Sequence, residues 1–386
     1  MSDRLLHILM TDPHARGGGQ VRYVANLAQE LTRLGHRITI GCKEGSVLVA
    51  RAAEASAEAH DRFVFRGGLR PRAWWHDVAE VRRFLRRARP DVIHVNGSQD
   101  HWVCAVANRL LRRSTCLVRT RHNTYAVAPH WPNRLLNRAW TDYEIVVCDV
   151  VRCDLARHPA FEGDRMCSIH NGVDAAAFRP DAAARMQARV EFGYGDTDVV
   201  LGIAARLVPA KGHEFLFRAA ASLRHEIPEL RILVLGQGDL ENSLKDLAGQ
   251  CGIRAQVRFA GFRDDMAFCT QAFDIGVQPS VDCDTSSFSL KEQMAAEKPV
   301  IASDYGGLVE IVTDGVEGVV VPAGVDAPLA EAIRALARNP EQRAAMGKAG
   351  RKRVLKEFTI EVFAQRTLAA YRRALDIHRL RARTHP

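Results

Sequence analysis

The sequence predicts an α/β protein with two Rossmann-like, doubly wound domains in tandem. Short apolar runs alternate with helix-period segments along nearly the whole chain, and this series occurs twice. The 386 residues are also too many for one ordinary hydrophobic core. Strands that are apolar throughout and are joined through helices indicate parallel sheets buried on both faces.

The first half of the chain contains six apolar runs that we expect to be strands. Segments with a helical period lie between them, as expected for parallel strands joined by crossovers. The predicted strands are Leu5–Thr11, Arg37–Cys42, Asp91–Val95, Thr115–Arg119, Glu144–Cys148 and Met166–His170, and the predicted helices include Gln20–Leu34, His76–Arg87 and Trp102–Leu111.

The second half repeats this scheme and then ends in helices alone. Pro180 and the stretch Gly193-Tyr-Gly-Asp196 interrupt the alternation, so a domain boundary is expected there. We predict a first domain of residues 1–180, a second of residues 181–365, and a final helix, 366–386, that crosses back to the first. The predicted strands are Val199–Ala204, Arg231–Leu235, Val257–Ala260, Ile275–Gln278, Val300–Ser303 and Gly318–Val321.

Composition excludes several classes of protein. No apolar stretch approaches the ~20 residues of a membrane-spanning helix. The first ten residues are too short and too interrupted for a signal peptide. Nine cysteines without a C-x-x-C pair fit a reducing compartment. We therefore expect a cytoplasmic protein.

The net charge of +9 is confined to the first half of the chain. Residues 1–180 contain 27 Lys and Arg against 18 Asp and Glu, whereas residues 181–386 contain 27 of each. The planar fork of arginine suits phosphate and anionic headgroups, so nucleic acid, an anionic membrane and an acidic acceptor are all permitted partners. A genome that favours arginine offers a simpler explanation.

The loop after the first predicted strand contains Gly17-Gly18-Gly19 and runs into a helix. Three adjacent glycines let backbone N–H groups approach an oxygen-rich ligand at the positive end of the helix dipole. The spacing is not G-x-G-x-x-G and no Lys-Ser/Thr follows, so neither a dinucleotide site nor a P-loop is supported. A tight turn would also explain the glycines.

Two later loops carry charged residues. Arg206 and Lys211 leave the end of a predicted strand five positions apart, where two cations can hold a diphosphate or can merely be solvated. Ser286 and Ser287 are candidate N-caps of a helix; Asp284 would precede it and Glu292 would lie on it. The loop carboxylate could reach a sugar and the helical one a ribose, although a carboxylate within a helix is most often solvated surface.

Taken together, these segments resemble the family 4 (group 1) retaining glycosyltransferases, which have the GT-B fold. The resemblance spans almost the whole chain, and its motifs are weak singly but specific in this order. They are Gly17–Gly19, Leu34-Gly35-His36, Pro90-Asp-Val-Ile-His94, Arg119-Thr-Arg-His122, Asn171-Gly-Val-Asp174 with Phe178-Arg-Pro180, Arg206 with Lys211-Gly212, and Glu292-Gln-Met-Ala-Ala296.

The resemblance implies roles for the second-domain residues. Arg206 and Lys211 would clamp the donor diphosphate. Glu292 matches the second Glu of the E-x7-E motif of the family and would hold the ribose. Asp284 stands where the first Glu usually is, which leaves its sugar contact open. Ser287, in place of the usual Gly, and Phe288 would line the donor site.

In the first domain, His122 matches the histidine that lines the sugar pocket near the anomeric centre. Gly18 and Gly19 resemble the loop that approaches donor and acceptor. The implied reaction is a front-face displacement with retention of configuration, and a double displacement with Asp284 as nucleophile is the alternative. Because cations would neutralise the diphosphate, we expect neither a metal nor another cofactor, although Asp282-Cys-Asp284 spells the D-x-D signature of the other common glycosyltransferase fold.

The acceptor is expected to be a saccharide or a lipid-linked saccharide, as in lipopolysaccharide or surface polysaccharide biosynthesis. Trp74-Trp75 precede an arginine-rich helix face, a pattern typical of anionic membrane surfaces and also of an ordinary amphipathic helix. A nucleotide-sugar epimerase of the same architecture is the alternative enzyme. A basic nucleic-acid binder is a third reading, but no helix-turn-helix, zinc motif or RNP-type strand supports it, and nucleic acid is not expected as a partner.

Overall fold

The structure is a computed structural model that describes residues 4–68, 70–112, 115–124 and 126–384. The chain divides into two compact units. The first unit runs to Gly172 and resumes at Ile360, and the second is Val173–Thr359. The divisions predicted after residues 180 and 365 lie a few residues further along the chain. Residues 1–3 and 385–386 of the predicted ranges lie outside the described residues.

Each unit is built on a parallel sheet, which confirms the predicted fold class. Within the described residues the first sheet has seven strands: β1 (His7–Thr11), β2 (Arg37–Lys43), β3 (Glu58–Phe63), β4 (Val92–Val95), β5 (Cys116–Arg121), β6 (Tyr143–Val146) and β7 (Met166–Ser168). The second has six: β8 (Val199–Ala204), β9 (Leu230–Leu235), β10 (Val257–Phe259), β11 (Ile275–Gln278), β12 (Val300–Ser303) and β13 (Gly318–Val321). The strand orders are β3-β2-β1-β4-β5-β6-β7 and β10-β9-β8-β11-β12-β13.

Helices connect the strands in both units. Those of the first unit are α1 (Gly19–Arg33), α2 (Val47–Glu54), α3 (Pro71–Ala88), α4 (Ser98–Arg109), α5 (Trp131–Arg134), which continues as a π-helix over Leu135–Trp140, and α6 (Asp149–Arg157). The second unit contains α7 (Ala182–Phe192), α8 (His213–Leu223), α9 (Glu241–Gln250), α10 (Met266–Gln271), α11 (Phe288–Ala295), α12 (Leu308–Ile311), α13 (Asp326–Arg338) and α14 (Pro340–Glu357). The last helix, α15 (Ile360–Thr384), belongs to the first unit, where it contacts α1, β5 and β6.

The strands form where the sequence is apolar on both faces. Ile8, Leu9 and Met10 of β1 are fully buried, as are Ile93 of β4 and Leu117 of β5. Covering both faces of a parallel sheet with helices removes such side chains from water, at about 25 cal/mol per Å² of apolar surface. The sheets therefore hold the loops at their carboxyl ends in fixed positions.

All twelve predicted strands are confirmed, with ends that shift by at most two residues. The thirteenth, β3, was not predicted. Its sequence, Glu-Ala-His-Asp-Arg-Phe, is polar because β3 lies at the edge of its sheet and is mostly open to solvent. No helix among the described residues is long and apolar enough to cross a membrane.

Candidate active site

Both sheets have a point where the strand order reverses direction, between β1 and β4 in the first unit and between β8 and β11 in the second. In open α/β sheets, ligands bind beyond the carboxyl ends of the strands at such points. In the first unit, Asp12 follows β1 and Asn96 follows β4, and His122 follows the neighbouring strand β5. In the second unit, the loop after β8 carries Arg206 and Lys211, and the loop after β11 carries Asp284.

In the second unit, Lys211 and Asp284 form a mostly buried ion pair. The Lys211 Nζ lies 2.9 Å from Asp284 Oδ2, and 15% and 6% of the two side chains are exposed. The same carboxylate oxygen accepts hydrogen bonds from Ser280 Oγ at 2.7 Å and Gln278 Nε2 at 3.0 Å. Three donors therefore fix Asp284, and Asp284 in turn fixes the position of the ammonium group.

The backbone around Asp284 is shaped for this placement. Gly306 has a φ of +57° and comes so close that a Cβ on it would lie 2.2 Å from the Asp284 carbonyl oxygen. The Gly307 N–H donates to that oxygen at 3.1 Å. Cys283 also has a positive φ, +50°, which is strained for a residue with a side chain. The loop is thus held in one conformation by its surroundings.

Arg206 differs from Lys211 in being exposed. In the described part of the chain its guanidinium forms no ion pair or hydrogen bond, so it remains available for an anion. Its loop is anchored to the loop after β9, since the Leu207 N–H donates to the Gln237 carbonyl at 3.1 Å. The structure places Arg206 and Lys211 in one short segment between β8 and α8.

The start of α8 requires a glycine. Gly212 has a φ of +68°, and a Cβ there would lie 1.9 Å from the Pro279 carbonyl oxygen. His213 follows and is buried, and neither of its ring nitrogens has a hydrogen-bond partner in the described residues. Burial lowers the pKa of His213 to about 4, with the nearby Lys211 contributing, so the ring is neutral at pH 7.

Helix α11 carries the remaining donor-site candidates. Ser287, one of the two candidate N-caps, is the N-cap, and its Oγ accepts from the Leu290 N–H at 3.2 Å. Phe288 is half-buried at the first helical position. Glu292 is 3% exposed on the same helix, which rules out the reading as solvated surface. Lys291, also buried, donates to Ser286 Oγ at 2.9 Å.

In the first unit, His122 follows β5 and is partly buried. Its Nε2 lies 2.9 Å from Asn96 Oδ1, and the edge of its ring packs against Tyr23 of α1 with centroids 4.6 Å apart. Burial holds the pKa of His122 well below its usual value, with further contributions from Arg119, His94 and His14. His122 is therefore a neutral imidazole at physiological pH.

Buried charges lie behind this histidine. Asp100 is fully buried and accepts from Thr11 Oγ1 at 2.7 Å and from the Asn96 N–H at 3.0 Å. Burial raises its pKa to about 6, although Arg119 opposes the shift. Arg119 donates to the Gly97 carbonyl, and burial lowers the pKa of its guanidinium to about 10. These pKa values leave Asp100 and Arg119 mainly charged at pH 7, so two opposite buried charges lie behind the neutral ring of His122.

The three glycines of the first loop are not required by packing. A Cβ on Gly17, Gly18 or Gly19 would meet no described atom within 4 Å. The loop leads directly into α1, which begins at Gly19, so it leaves open space at a helix N-terminus.

The D-x-D sequence does not form a carboxylate pair directed at one ion. Asp282 Oδ1 accepts from the Tyr305 hydroxyl at 2.8 Å, whereas Asp284 faces Lys211. Among the described residues, one group has ligand atoms close enough for a metal: Cys116, Asp142 and His378. There Asp142 bonds to His378 Nδ1 at 3.0 Å and also to Arg381, which indicates an ion-pair network that fixes α15.

Sequence reasoning missed the residues that position the candidates. Gln278 and Ser280 flank the end of β11, and Asn96 and Tyr23 surround His122. Polar residues at or just after the end of an apolar strand were the available signal at Gln278, Ser280 and Asn96. No signal was available for Tyr23, because an aromatic residue on an amphipathic helix is ordinarily a core residue.

The two parallel sheets, with glycine, cation and carboxylate loops at their carboxyl ends, define a protein of the GT-B class. Residues 17–177 match the family described as Glycosyltransferase Family 4, and residues 185–353 match Glycosyl transferases group 1. The D-inositol 3-phosphate glycosyltransferase of Kribbella flavida is 30% identical over 96% of this chain and 95% of its own. The chain belongs to the family 4 (group 1) glycosyltransferases, and it is a glycosyltransferase.

Two further proteins illustrate the range of relatives. A GDP-mannose-dependent monoacylated alpha-(1-6)-phosphatidylinositol monomannoside mannosyltransferase of Corynebacterium glutamicum is 33% identical over 54% of this chain and 55% of its own. The crystal structure of Anabaena Alr3699/HepE in complex with UDP-glucose has a TM-score of 0.81 at 20% identity, and the match covers 95% of this chain and all of that one. The latter likeness shows the fold.

Proposed function

We propose that this glycosyltransferase moves a sugar from a nucleotide diphosphate donor to a saccharide or lipid-linked acceptor, with retention of anomeric configuration and without a metal. The observation that carries the proposal is the loop after β8, where Lys211 is fixed by Asp284 and Arg206 is exposed and unpaired within the described residues. Two cations in a short loop suit the two phosphates of such a donor. A nucleotide sugar is also bound in the UDP-glucose complex of the Anabaena structure.

The proposed chemistry follows from where charge develops. The bond between the anomeric carbon and the diphosphate oxygen breaks, and both bonding electrons leave with the diphosphate. Positive groups at Arg206 and Lys211 stabilise this growing negative charge more than they stabilise the ground state. The acceptor hydroxyl attacks the same face of the sugar, and its proton passes to the departing phosphate oxygen.

The other candidates have supporting roles in this proposal. Glu292 on α11 accepts hydrogen bonds from the ribose hydroxyls, and Ser287 and Phe288 line the nucleotide end of the donor. Gly18 and Gly19 let the backbone of the first loop approach a ligand, which the open space around them supports. His122 contacts the transferred sugar as a neutral ring.

The test is transfer from labelled donors. A thermal-shift screen with UDP, GDP and ADP sugars first identifies the base, and NMR of the product then reports the anomeric configuration. Arg206→Ala and Lys211→Ala should each lower turnover by at least about 100-fold, the scale for losing a transition-state charge partner. Arg218→Ala, which removes an exposed arginine of α8, is the matched control and should be neutral. Wild-type rates in both site variants would overturn the donor-site assignment.

Metal independence is tested in the same assay. Because two cations already face the diphosphate in this proposal, excess EDTA should leave the rate unchanged. If EDTA abolishes activity and Mn²⁺ restores it, the result would contradict the proposal and favour a metal site at the D-x-D sequence.

The acceptor is proposed to be a membrane-linked saccharide of lipopolysaccharide or surface polysaccharide biosynthesis, with the protein at the inner face of the cytoplasmic membrane. On α3, Val78, Val81 and Leu85 are buried, while Arg86 and Arg87 are exposed and form no ion pair within the described residues. Trp75 near the start of the helix is 56% exposed. Tryptophan beside an arginine face suits an anionic headgroup layer.

Vesicle co-sedimentation tests this part. The protein should bind phosphatidylglycerol vesicles and not phosphatidylcholine vesicles, because each arginine near an anionic surface contributes about 1 kcal/mol. Replacing Arg86 and Arg87 by glutamate should release it, whereas the same replacement at Arg218 and Arg224 should not. Binding that is indifferent to lipid charge would remove the membrane proposal and leave α3 as an ordinary amphipathic helix.

A further inference from the structure

An open cavity of about 510 Å³ lies along β10, the edge strand of the second sheet. Four cations line it, and none of the described residues in its wall is acidic. The four are Arg231, Lys245, Arg254 and Arg258. None of the candidate donor-site residues lines the cavity, so it is a separate, basic feature of the second unit.

The cavity lies away from the loops of the proposed donor site. Arg231 is the second residue of β9, and the turn that contains Arg254 directly precedes β10. These positions belong to the amino end of the parallel sheet, whereas Arg206 and Lys211 lie in a loop at its carboxyl end. A ligand bound in the cavity would therefore leave the proposed donor loop free.

The charges around the cavity do not cancel. Two of the four cations are paired with carboxylates behind the wall: Arg231 with Asp198 at 2.9 Å and Lys245 with Glu241 at 2.5 Å. Arg254 and Arg258 are exposed, and neither forms an ion pair within the described part of the chain. They leave an excess of two positive charges, which matches the nearly two negative charges of a phosphate monoester at pH 7.

The guanidinium groups of Arg231 and Arg258 project from the same face of the sheet. Arg258 lies opposite Leu233 in the register of β9 and β10, and Arg231 comes two residues before Leu233. Side chains alternate along a strand, so both arginines share that face. Burial raises the pKa of the Tyr194 hydroxyl, and both arginines oppose the rise, so their charges act on the same part of the wall. Like charges gathered there repel each other, and a bound anion would relieve the repulsion.

The free edge of β10 adds backbone donors. The carbonyl of Gln256 and the N–H of Ala260 bond to β9, each at 2.9 Å. Backbone groups of successive residues point to opposite sides of a strand, so the N–H groups of Val257 and Phe259 point away from β9. No strand in the described part of the chain pairs with β10 on that side. Val257 and Phe259 both line the cavity, where their N–H groups can donate to an anion.

The aromatic rings of the wall favour a phosphate group over a nucleotide base. Lys245 Nζ lies 5.6 Å from the centroid of the Phe259 ring, and the Arg258 guanidinium lies 5.8 Å from that of Phe192. Phe192 is also only 3% exposed. These two rings therefore hold the cations in place rather than offering a face on which a base could stack.

We propose that this cavity is a second anion-binding site, which takes a phosphorylated small molecule through Arg254, Arg258 and the edge N–H groups of β10. Arg231 and Lys245 complete the positive wall. The volume of the cavity leaves room for the body of a phosphate ester, such as a sugar phosphate, beside the phosphate group itself. The inference concerns binding alone and does not depend on the proposed function.

The direct test is isothermal titration calorimetry of the full-length protein with inorganic phosphate and with glucose 1-phosphate. Both should still bind to Arg206→Ala/Lys211→Ala, in which the proposed donor loop has lost its cations. Adding Arg254→Ala and Arg258→Ala to that variant should weaken binding by at least about tenfold, because two charge-assisted contacts are lost. Uncharged glucose should not bind. If neither phosphate binds, or if binding is indifferent to Arg254 and Arg258, the proposal is wrong.

The matched control is Lys348→Ala/Lys352→Ala. It removes two exposed cations of α14, neither of which forms an ion pair within the described residues, and should leave the affinity for phosphate unchanged. ¹⁵N NMR then locates the ligand: the amide signals of Val257 and Phe259 should shift on addition of phosphate. Equal losses of affinity in the two double variants, with no shift of these amide signals, would show a general effect of net charge and overturn the site.

A vesicle experiment distinguishes a soluble phosphate from a lipid headgroup. It uses phosphatidylglycerol vesicles and a background of Arg86→Glu/Arg87→Glu, so that α3 does not contribute. Co-sedimentation in this background should not depend on Arg254 and Arg258. If it does, and inorganic phosphate fails to compete, the cavity binds a lipid headgroup and the assignment to a small molecule is wrong.

Discussion

At the carboxyl end of its sheet, the first unit presents the neutral ring of His122 with buried opposite charges behind it, whereas the second unit presents cations in the loop after β8. His122 is a neutral ring held by Asn96 and Tyr23. Lys211 is an ammonium group held by Asp284, and Arg206 is an exposed guanidinium. Similar sheets thus present different side chains at their carboxyl ends, because the loops that follow the strands supply the chemistry. The difference matches the proposed ligands: charged phosphates in one unit and sugar hydroxyls in the other.

The two units also differ in which buried groups have lost a proton. In the first unit burial lowers the pKa of His94 to about 3 and those of His101 and His122 well below the usual value, with Arg119 contributing to all three. In the second unit burial lowers the pKa of Lys298 to about 7, and Arg185 and Arg189 contribute. The free energy of unfolding of the first unit should therefore fall as the pH falls below about 6.5. That of the second unit should rise as the pH rises above 7.

The largest effect is expected from replacing Asp284, because this carboxylate fixes Lys211 in the proposed donor site of the second unit. Asp284→Asn should lower kcat/KM by about 100-fold, because Lys211 loses the carboxylate that fixes it. The neighbouring Asp282→Asn is the control and should be nearly neutral. Equal losses of kcat/KM in the two variants would favour a metal at D-x-D. Mass spectrometry should find no glycosyl adduct on the wild-type chain. An adduct on Asp284 would establish double displacement.

Lys298→Met tests the alkaline side of the comparison. The folded-state pKa of Lys298 lies below the unfolded value, so the folded state binds fewer protons between pH 7 and 10.5 and wild type should gain stability as the pH rises through that window. From pH 7 to 9 that gain should be about 1–3 kcal/mol in the free energy of unfolding, and the variant should lack it. Denaturant unfolding at both pH values measures it, with the exposed Lys352→Met as control. Identical pH slopes in variant and wild type would contradict the prediction.

His94→Gln tests the acid side. Burial lowers the pKa of His94 to about 3 in the folded state, whereas in the unfolded chain His94 binds a proton below its ordinary pKa of 6.5. In wild type, protonation of His94 in the unfolded chain should therefore lower the free energy of unfolding by about 1.4 kcal/mol per pH unit as the pH falls from 6.5 towards 4. His94→Gln should lack this contribution to the pH dependence. Asp100, whose pKa is raised to about 6, opposes the trend in both proteins. A variant that is as acid-sensitive as wild type would show that His94 does not titrate as described.

The smallest effect is expected from Tyr371→Phe, which removes one hydroxyl from the network behind His122. The lost bond to His94 Nδ1 should lower the free energy of unfolding by about 1 kcal/mol. Turnover should change little, because the hydroxyl of Tyr371 bonds to His94 and not to a proposed site residue. A large loss of kcat at unchanged stability would show that α15 contributes to catalysis.

Periodicity and apolar runs were sufficient to predict both sheets, because strands such as β8 and β11 are buried on both faces and their sequences show it. They failed for β3, since an edge strand with Glu58, His60 and Asp61 lacks that signal. The candidate residues could be named from local motifs. Their partners could not, because the contact of Lys211 with Asp284 spans 73 residues and that of His94 with Tyr371 spans 277. Such contacts depend on strand order and register, which the local sequence does not contain.

Helix α15 completes the first unit although it is encoded after the second. It buries Phe363, Tyr371 and Ala374 and binds the Arg138 and Ala139 carbonyls through Arg381. The second unit is one continuous stretch of chain and can fold on the ribosome as soon as it has emerged. The first must wait with part of its apolar surface uncovered until residues from Ile360 onward have been synthesised. A stalled or truncated translation product would therefore contain a finished second unit beside an unfinished first one, a substrate for chaperones and proteases.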